Sequence, residues 1–337
     1  MAKVAVVILN WNGKRYLEQF LPVLIKYLPD YAEVIIADNA SSDDSVNFLK
    51  THYPDIRILE HERNEGFARG YNLAFEKVEA EYYCLLNSDI EVTEHWIEPI
   101  IEMMDANPKI AAVQPKLLSY SKRDEFEYAG AAGGYIDKYG YPFCRGRVFG
   151  NLEKDHGQYD TEADIFWASG AAMFVRSDVY RTMGGLDPDF FAHMEEIDFC
   201  WRAKLLGYQV WCVPASTVWH VGGGTLPNNS PRKLYFNYRN NLLMLFKNLP
   251  DRSRRSRIFL RMGLDGASAA IYLLTGKWSF FKAVWQAHRD YRRMKRELDP
   301  SPFEEDRSYA GLYDGSIILR FFLSGKKLRW SDIERDL

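Results

Sequence analysis

The sequence predicts an α/β fold: a mostly parallel sheet flanked by helices, followed by a helical C-terminal tail. Three observations carry that prediction. Strand-like apolar runs alternate with helical periods over the first 115 residues, as in a chain of βαβ units. The first run, Val4–Leu9, is continuously apolar and rich in β-branched residues, which marks a strand covered on both faces. Polar clusters fall just after predicted strands, where open sheets of this kind bind ligands.

Taken in order, Val4–Leu9 opens the sheet. Lys14–Tyr27 reads as a helix because Leu17, Leu21, Leu24, Ile25 and Leu28 recur at helical spacing. Glu33–Ala37 is a second strand, and Ser42–His52 is a short helix capped by Ser41 or Ser42. Ile56–Glu60, Tyr82–Leu86 and Ala111–Pro115 continue the strands, with helices predicted over Gly66–Val78 and Glu94–Asn107. Residues 119–163 gather Gly130, Gly133, Gly134, Gly140 and Gly146, then acidic residues around Glu153–Asp164. They read as an irregular or β-rich insertion placed to act as a lid. Ala172–Arg176 is a strand, Ile197–Leu206 a helix and Gln209–Val213 a strand. Leu234–Phe246 begins the helical tail, and Pro250 divides a main body, residues 1–250, from residues 251–337.

Composition narrows the function classes. The 337 residues are 47% hydrophobic, 26% charged and 15% aromatic, which excludes disordered, collagen-like and disulfide-scaffold proteins. A net charge of −3 argues against a dedicated nucleic-acid binder. The four cysteines, Cys84, Cys144, Cys200 and Cys212, form no CxxC pair and read as buried thiols of a reducing compartment. The N-terminus enters a strand-like run directly, so no signal peptide is expected. No uncharged apolar run reaches the roughly 20 residues that cross a bilayer. A cytoplasmic protein is expected. Charge is unevenly placed. Residues 252–296 carry twelve Lys/Arg against Asp265 and Asp290, a local +10 that leaves −13 for the rest.

Three clusters interrupt the pattern: Asn10-Trp11-Asn12-Gly13, Asp38 to Ser45, and Asn87-Ser88-Asp89. Each alone suits a turn; three at the same ends of neighbouring strands converge on one crevice. The first loop lacks GxGxxG, and no P-loop is present. Nucleotide binding must then use side-chain carboxylates and amides. Asp38 suits a ribose or base contact, and Asp89 suits a hard cation such as Mg²⁺ or Mn²⁺.

The runs VVILNWNG, IIADNASSDDS, RNEGFARGYNLA and CLLNSDIEV resemble family 2 glycosyltransferases of the GT-A fold, in their rhamnosyltransferase-like branch, over roughly residues 3–245. The resemblance implies a nucleotide-sugar donor and a divalent cation, Mn²⁺ or Mg²⁺. It implies that Asn10 and Asp38 hold base and ribose, that Leu9 belongs to the nucleotide-sugar site, and that Asn64, Gly66, Phe67 and Asn72 line the donor pocket beside Asn87 and Ser88. Asp89 would ligate the metal. Asn87 stands where the strict DxD form has its first Asp, and an amide there supplies no charge.

Downstream, FFAHMEEIDFCWR is similar to the family's acidic motif, here EE-x-D in place of ED-x-D. The resemblance puts the catalytic base at Glu196, and the extra methylene leaves Glu195 and Asp198 as alternatives. His220, in TVWHVGGGT, resembles the histidine that completes the metal or diphosphate site. Trp167, Ser169 and Gly170 resemble the segment on the acceptor side.

The basic tail interleaves arginines with Trp278, Phe280, Phe281 and Trp285, which suits an anionic membrane surface; a packed helix with a solvated basic face is the alternative. No nucleic-acid fold accompanies it. These features together read as a metal-dependent, inverting, non-processive glycosyltransferase. It would move one sugar from a UDP- or dTDP-sugar to a hydroxyl of a glycan, lipid-linked, in polysaccharide synthesis. Two other classes compete: a nucleotide-sugar-binding protein without transfer activity, and a sugar nucleotidyltransferase, whose glycine-rich first loop is missing.

Overall fold

A computed structural model describes residues 2–222, 230–300, 302 and 307–337. Gly223, Gly224 and Thr225 of the run after His220 lie outside the described residues. The first elements are β1 (Val4–Asn10), α1 (Lys14–Lys26), β2 (Ala32–Asp38), α2 (Ser45–His52), β3 (Arg57–Glu60) and α3 (Gly66–Phe75). Then come β4 (Tyr82–Asn87), β5 (Ile90–Val92), α4 (Glu98–Ala106) and β6 (Ile110–Ser119). The insertion holds β7 (Gly134–Asp137), β8 (Pro142–Cys144), β9 (Arg147–Val148), β10 (Asn151–Leu152) and β11 (Ala163–Asp164). β12 (Ala172–Arg176), α5 (Ser177–Thr182), α6 (Glu195–Leu205) and β13 (Gln209–His220) complete the body. The rest is α7 (Pro231–Asn248), α8 (Asp251–Leu274), α9 (Trp278–Met294), β14 (Leu312–Tyr313) and α10 (Ile317–Leu323).

The main sheet runs β11-β13-β6-β12-β4-β1-β2-β3, with β5 paired to β13. It is parallel across β3, β2, β1 and β4, and again between β6 and β13. β12 enters antiparallel between β4 and β6, because it returns from the insertion and not through a βαβ crossover. Alternation along β1 divides the core. Val4, Val6 and Ile8 face Leu17, Leu21 and Leu24 of α1 and the α4 side, while Ala5 and Val7 face α3. Both faces are buried, as the continuous apolar run requires.

Register brings the polar strand ends together. Asn10 pairs with Asp38, and Leu9 pairs with Asn87. β13 runs antiparallel to β5, with His220 opposite Ile90, so the strand carries His220 to the residue after Asp89. β13 is longer than the predicted Gln209–Val213. His220 is therefore its last residue, not a loop residue after it.

Other boundaries differ for local reasons. α2 starts at Ser45 with Asp44 at its N-cap position, so neither Ser41 nor Ser42 caps it; the Ser41 hydroxyl bonds Asp38 and the Ser42 hydroxyl bonds Asn12. α4 starts at Glu98 and not Glu94, because His95 takes a left-handed φ of 57° that breaks the helix. β5 and α5 had no periodic signal long enough to read. Residues 119–163 form a second sheet, β10-β9-β8-β7-β14, so the tail supplies one edge through Leu312 and Tyr313 beside Ile136 and Asp137. Trp330 packs on Tyr135 at 4.2 Å between ring centroids. All four cysteines are buried free thiols.

Candidate active site

The first loop is built from side chains bonded to one another. Buried Asn10 donates from Nδ2 to Asp38 Oδ1 at 2.9 Å and to Ser41 Oγ at 3.1 Å. Ser41 donates its hydroxyl to Asp38 Oδ1 at 2.6 Å and its backbone N–H to Oδ2 at 2.9 Å. Asn12 accepts on Oδ1 from the N–H groups of Ser42 and Asp43 at 2.7 and 3.1 Å. Of the two expected capping serines, Ser41 thus fixes the Asp38 carboxylate, and Ser42 bonds Asn12 instead. A Cβ on Gly13 would lie 2.4 Å from Asn10 Oδ1 and 3.1 Å from Ser88 Oγ, so only glycine lets this loop close over both. Asn10 Oδ1 is buried without a hydrogen-bond partner. Leaving such an acceptor unpaired costs about 1–3 kcal/mol, and a ligand donor recovers it.

Next to this loop, Asn39 ties down the segment before α3. It donates to Asn64 Oδ1 and to Gly66 O at 3.1 and 3.0 Å, and accepts from Glu65 N–H at 3.0 Å. Gly66 has φ 77° and sits against Phe191; a side chain there would be strained and would clash. Leu9 packs on Gly70. Asn72 points elsewhere: its amide bonds Leu186 O and N–H at 2.7 and 3.0 Å and accepts from the Tyr180 hydroxyl at 2.6 Å. It holds the chain that leads to the acidic motif.

Asp89, 6% exposed, meets His220 at 3.2 Å between Oδ1 and Nε2. Nδ1 of His220 lies 3.3 Å from Glu127 Oε1, within ion-pair range but out of hydrogen-bond alignment. Burial opposes charge on His220, yet the Glu127 and Asp89 carboxylates outweigh it and raise its pKa to about 10. Burial likewise raises Asp89, but His220 and the backbone N–H groups of Asp89 and Gly222 leave its carboxyl below the usual range. Without an ion the His220 proton serves the Asp89 contact; a divalent ion between the two would replace that proton and leave a neutral imidazole beside a charged carboxylate. Among the described residues no cluster of three such ligands occurs, so Asp89 and His220 would bind an ion jointly with donor phosphates. Half-buried Asn87 and Ser88 border this corner.

The acidic motif is reached through Gly170. Asn87 N–H donates to Ala171 O at 2.9 Å. A Cβ on Gly170 would lie 3.0 Å from the Phe67 ring and 3.7 Å from Glu196 Cβ. Ser169 and Trp167 are buried behind it: Ser169 donates to Ala129 O at 2.5 Å, and the Trp167 indole donates to Tyr135 O at 2.9 Å. At the start of α6, Glu195 is buried and Glu196 half-buried, each with an unpartnered Oε2. Burial, reinforced by Glu196, pushes Glu195 well above the usual carboxylate range; burial pushes Glu196 up to about 7. Asp198 is different. It bonds Arg202 at 2.7 Å, Asn248 at 2.8 Å and Lys247 at 3.1 Å. Burial works against its ionisation, but Arg202 and Lys247 hold the carboxyl low.

The segment presenting the two glutamates is strained. Phe191, His193 and Met194 have φ of 62°, 72° and 76°, each costing about 1–3 kcal/mol for a non-glycine residue. α7 holds it in place. Asn240 shares its amide N–H groups among the carbonyls of Phe190, Ala192 and His193 at 2.7–2.9 Å. Arg239 donates to the carbonyls of Asp189 and Phe190 at 2.9 and 3.1 Å. Sequence reasoning missed Arg239, Asn240, Lys247 and Glu127. None lies in a motif, although a polar RNN triplet inside an apolar helical period was a usable signal.

Comparison with known proteins places the chain in a family. The family model Glycosyl transferase family 2 matches residues 5–177. The N-acetylglucosaminyl-diphospho-decaprenol L-rhamnosyltransferase of Mycobacterium tuberculosis is 23% identical over 233 residues, 64% of this chain and 75% of the relative. The dTDP-rhamnosyl transferase RfbF of Shigella flexneri is 26% identical over 234 residues, 64% of this chain and 71% of the relative. The crystal structure of GalNAc-T7 with UDP, GalNAc and Mn²⁺ aligns at a TM-score of 0.57 and 17% identity. It covers 73% of this chain, which spans about half (48%) of that longer one. The structural likeness shows a shared GT-A fold.

Proposed function

The chain belongs to glycosyl transferase family 2, and from that premise we propose that it moves one sugar, with inversion, from a UDP- or dTDP-sugar to a hydroxyl of a lipid-linked glycan. The single observation that supports this best is the contiguity of three unlike groups at the strand ends. They are an unpaired Asn10 acceptor beside Asp38, the Asp89–His220 pair, and the half-buried Glu196 carboxyl behind Gly170. A nucleotide, a diphosphate-bound ion and a hydroxyl each find a matching partner there.

Asp38 and Asn10 hold the nucleoside, and Gly66 and Phe67 border the sugar. Asp89 and His220 would hold Mn²⁺ or Mg²⁺, which would supply positive charge toward the departing diphosphate. Glu196 takes the proton of the acceptor hydroxyl as its oxygen bonds the anomeric carbon. The bond from that carbon to the diphosphate oxygen breaks, and the nucleoside diphosphate carries away the electron pair. Burial beside Glu196 disfavours the charged form of Glu195, which makes Glu196 the candidate base of the pair. Gly170 opens the acceptor side, with Trp167 and Ser169 fixing its backbone. The names of the rhamnosyltransferase relatives support a dTDP donor and a polyprenyl diphosphate acceptor, which would place the reaction at the cytoplasmic face of a membrane.

The test is thermal denaturation with UDP, dTDP and their sugars, with Mn²⁺ or EDTA, followed by assay of nucleoside diphosphate release. Ligand at about 100 times its Kd adds roughly 2.7 kcal/mol, a visible rise in Tm that EDTA should reduce. Absence of any nucleotide shift overturns the reading. Binding without acceptor-dependent release makes the protein a nucleotide-sugar binder instead.

A further inference from the structure

Helices α8 and α9 form a hairpin that packs on α7 and buries Ile258, Ala269, Val284, Ala287 and Tyr291. Its outer side carries a dense group of exposed large apolar side chains: Phe259 is 77% exposed, Leu274 86%, Trp278 60% and Trp285 57%. From Met262 to Gly276 the one charged residue is Asp265, and it is buried between Arg261 at 2.8 Å and His288 at 3.2 Å. About four turns of helix, roughly 22 Å, therefore present no charge to the outside.

The charge around this crest is mostly basic, the nearest exposed acids in sequence being Asp251 at the start of α8 and Glu297 and Asp299 beyond α9. Asp290 is buried too, and accepts from the Tyr235 hydroxyl at 2.8 Å. With Asp265 and Asp290 both inside, the exposed charged side chains between Arg252 and Arg296 are all basic, including Lys277 beside the tip and Arg292 and Arg293 at the far end of α9. No described helix is long and apolar enough to cross a membrane. An apolar crest rimmed by cations matches one occupant, an anionic bilayer surface: the crest enters the acyl boundary and the rim meets lipid phosphates. A second copy of this chain would bring like charges together. Nucleic acid would find the cations but not use the crest.

We propose that the α8–α9 hairpin is a membrane-docking element that dips Leu274, Trp278 and Trp285 into the interface of an anionic bilayer without spanning it. This inference is independent of the transfer reading, and deepens it. α7, on which the hairpin packs, also holds the strained segment before Glu195 through Arg239 and Asn240. Docking thus seats the acidic motif one helix away from the surface that would carry a lipid-linked acceptor.

The experiment is co-sedimentation of the full chain with phosphatidylcholine vesicles, with and without phosphatidylglycerol, at low and high salt. Binding should require phosphatidylglycerol and weaken with salt. Leu274→Ser with Trp278→Ser should lower partitioning at least ~10-fold, because each buried apolar side chain is worth about that factor. Their exposure means Tm should hold, which separates lost docking from lost folding. Arg292→Glu with Arg293→Glu should remove the phosphatidylglycerol preference. Equal partitioning of the apolar variant, or no pelleting with anionic vesicles, overturns the proposal. So does a wild-type dimer that the apolar variant dissolves, or salt-sensitive binding to an oligonucleotide that the arginine variant loses while vesicles pellet nothing.

Discussion

The loop at the ends of β1 and β2 and the segment before α6 solve opposite problems. In the first, polar side chains satisfy one another: Asn10, Asp38, Ser41 and Asn12 form a bonded lattice with a single open acceptor. In the second, two buried carboxyl oxygens lack partners, and three left-handed residues lead into them. A binding surface gains from being complete before the ligand arrives, since little is left to order. A proton acceptor gains from being incomplete, because burial without partners lifts its pKa toward the pH at which it works. The difference teaches where the molecule stores cost: at the acidic motif, offset by Asn240 and Arg239 from α7.

The largest effect expected from breaking this contrast is at Glu196. Glu196→Gln should keep nucleotide affinity and lower kcat by ~10²-fold or more. The wild-type pH profile sharpens the point. Burial raises Glu196 to about 7, so its basic form grows as pH rises through neutrality, and kcat should rise with it. The apparent value belongs to the Glu195–Glu196 pair. The same shift has the opposite sign for stability. The folded state binds the proton more tightly than the unfolded one, so its contribution is present below the unfolded pKa and is lost as pH rises through the folded one. Turnover that is flat from pH 6 to pH 8, or Glu195→Gln killing turnover while Glu196→Gln does not, would move the base.

Asp198 tests whether the motif is uniform. Its three hydrogen-bonding and ionic partners, Arg202, Lys247 and Asn248, make it an anchor between α6 and α7 and not a free carboxylate. Asp198→Ala should destabilise the fold by about 3 kcal/mol, the low end for an orphaned buried pair, because Arg202 still reaches solvent. Denaturant melting reads this. Unchanged stability with lost turnover would return Asp198 to the list of bases.

How far the sequence led follows the same divide. The β1–β4 half was legible because continuous apolar runs and polar strand ends are local signals, and register then placed Asn10 by Asp38. Ser41 and Ser42 were misread as caps because a serine before a helix looks the same whether it bonds the helix or, as here, a carboxylate three residues back and amides of the loop about 30 residues earlier. Glu127, Asn240 and Lys247 act across gaps of about 50 residues or more, and no periodicity records such a contact. The insertion's strands were too short to alternate visibly.

On the completed side, Asp38→Ala should weaken nucleoside diphosphate binding by roughly 1.5–3 kcal/mol, the range for bonds to a charged group. Part of that loss comes from within, since Asn10 Nδ2 and the Ser41 N–H lose their acceptor. Titration calorimetry with dTDP and UDP checks it, and an unchanged Kd would take Asp38 out of the nucleoside site. Ser41→Ala should do less, because Asp38 keeps the Asn10 and backbone bonds.

The smallest effect expected is at Glu127, where the two strategies meet. Its carboxylate lies at Nδ1 of His220 while Nε2 faces Asp89. A carboxylate at one ring nitrogen orients the imidazole and leaves the other nitrogen for a metal. Removing such a partner costs 10–100-fold in metal affinity, and here about tenfold is expected, because the Nδ1 contact is not aligned as a hydrogen bond. Glu127→Gln keeps an acceptor and should lose less than Glu127→Ala. The readout is Mn²⁺ affinity by paramagnetic resonance in the presence of dTDP, apart from turnover. If Mn²⁺ binds the wild type and both variants equally, Glu127 only neutralises a buried imidazolium. If no form binds Mn²⁺, the fault lies with Asp89 and His220 as ligands, and not with the residue behind them.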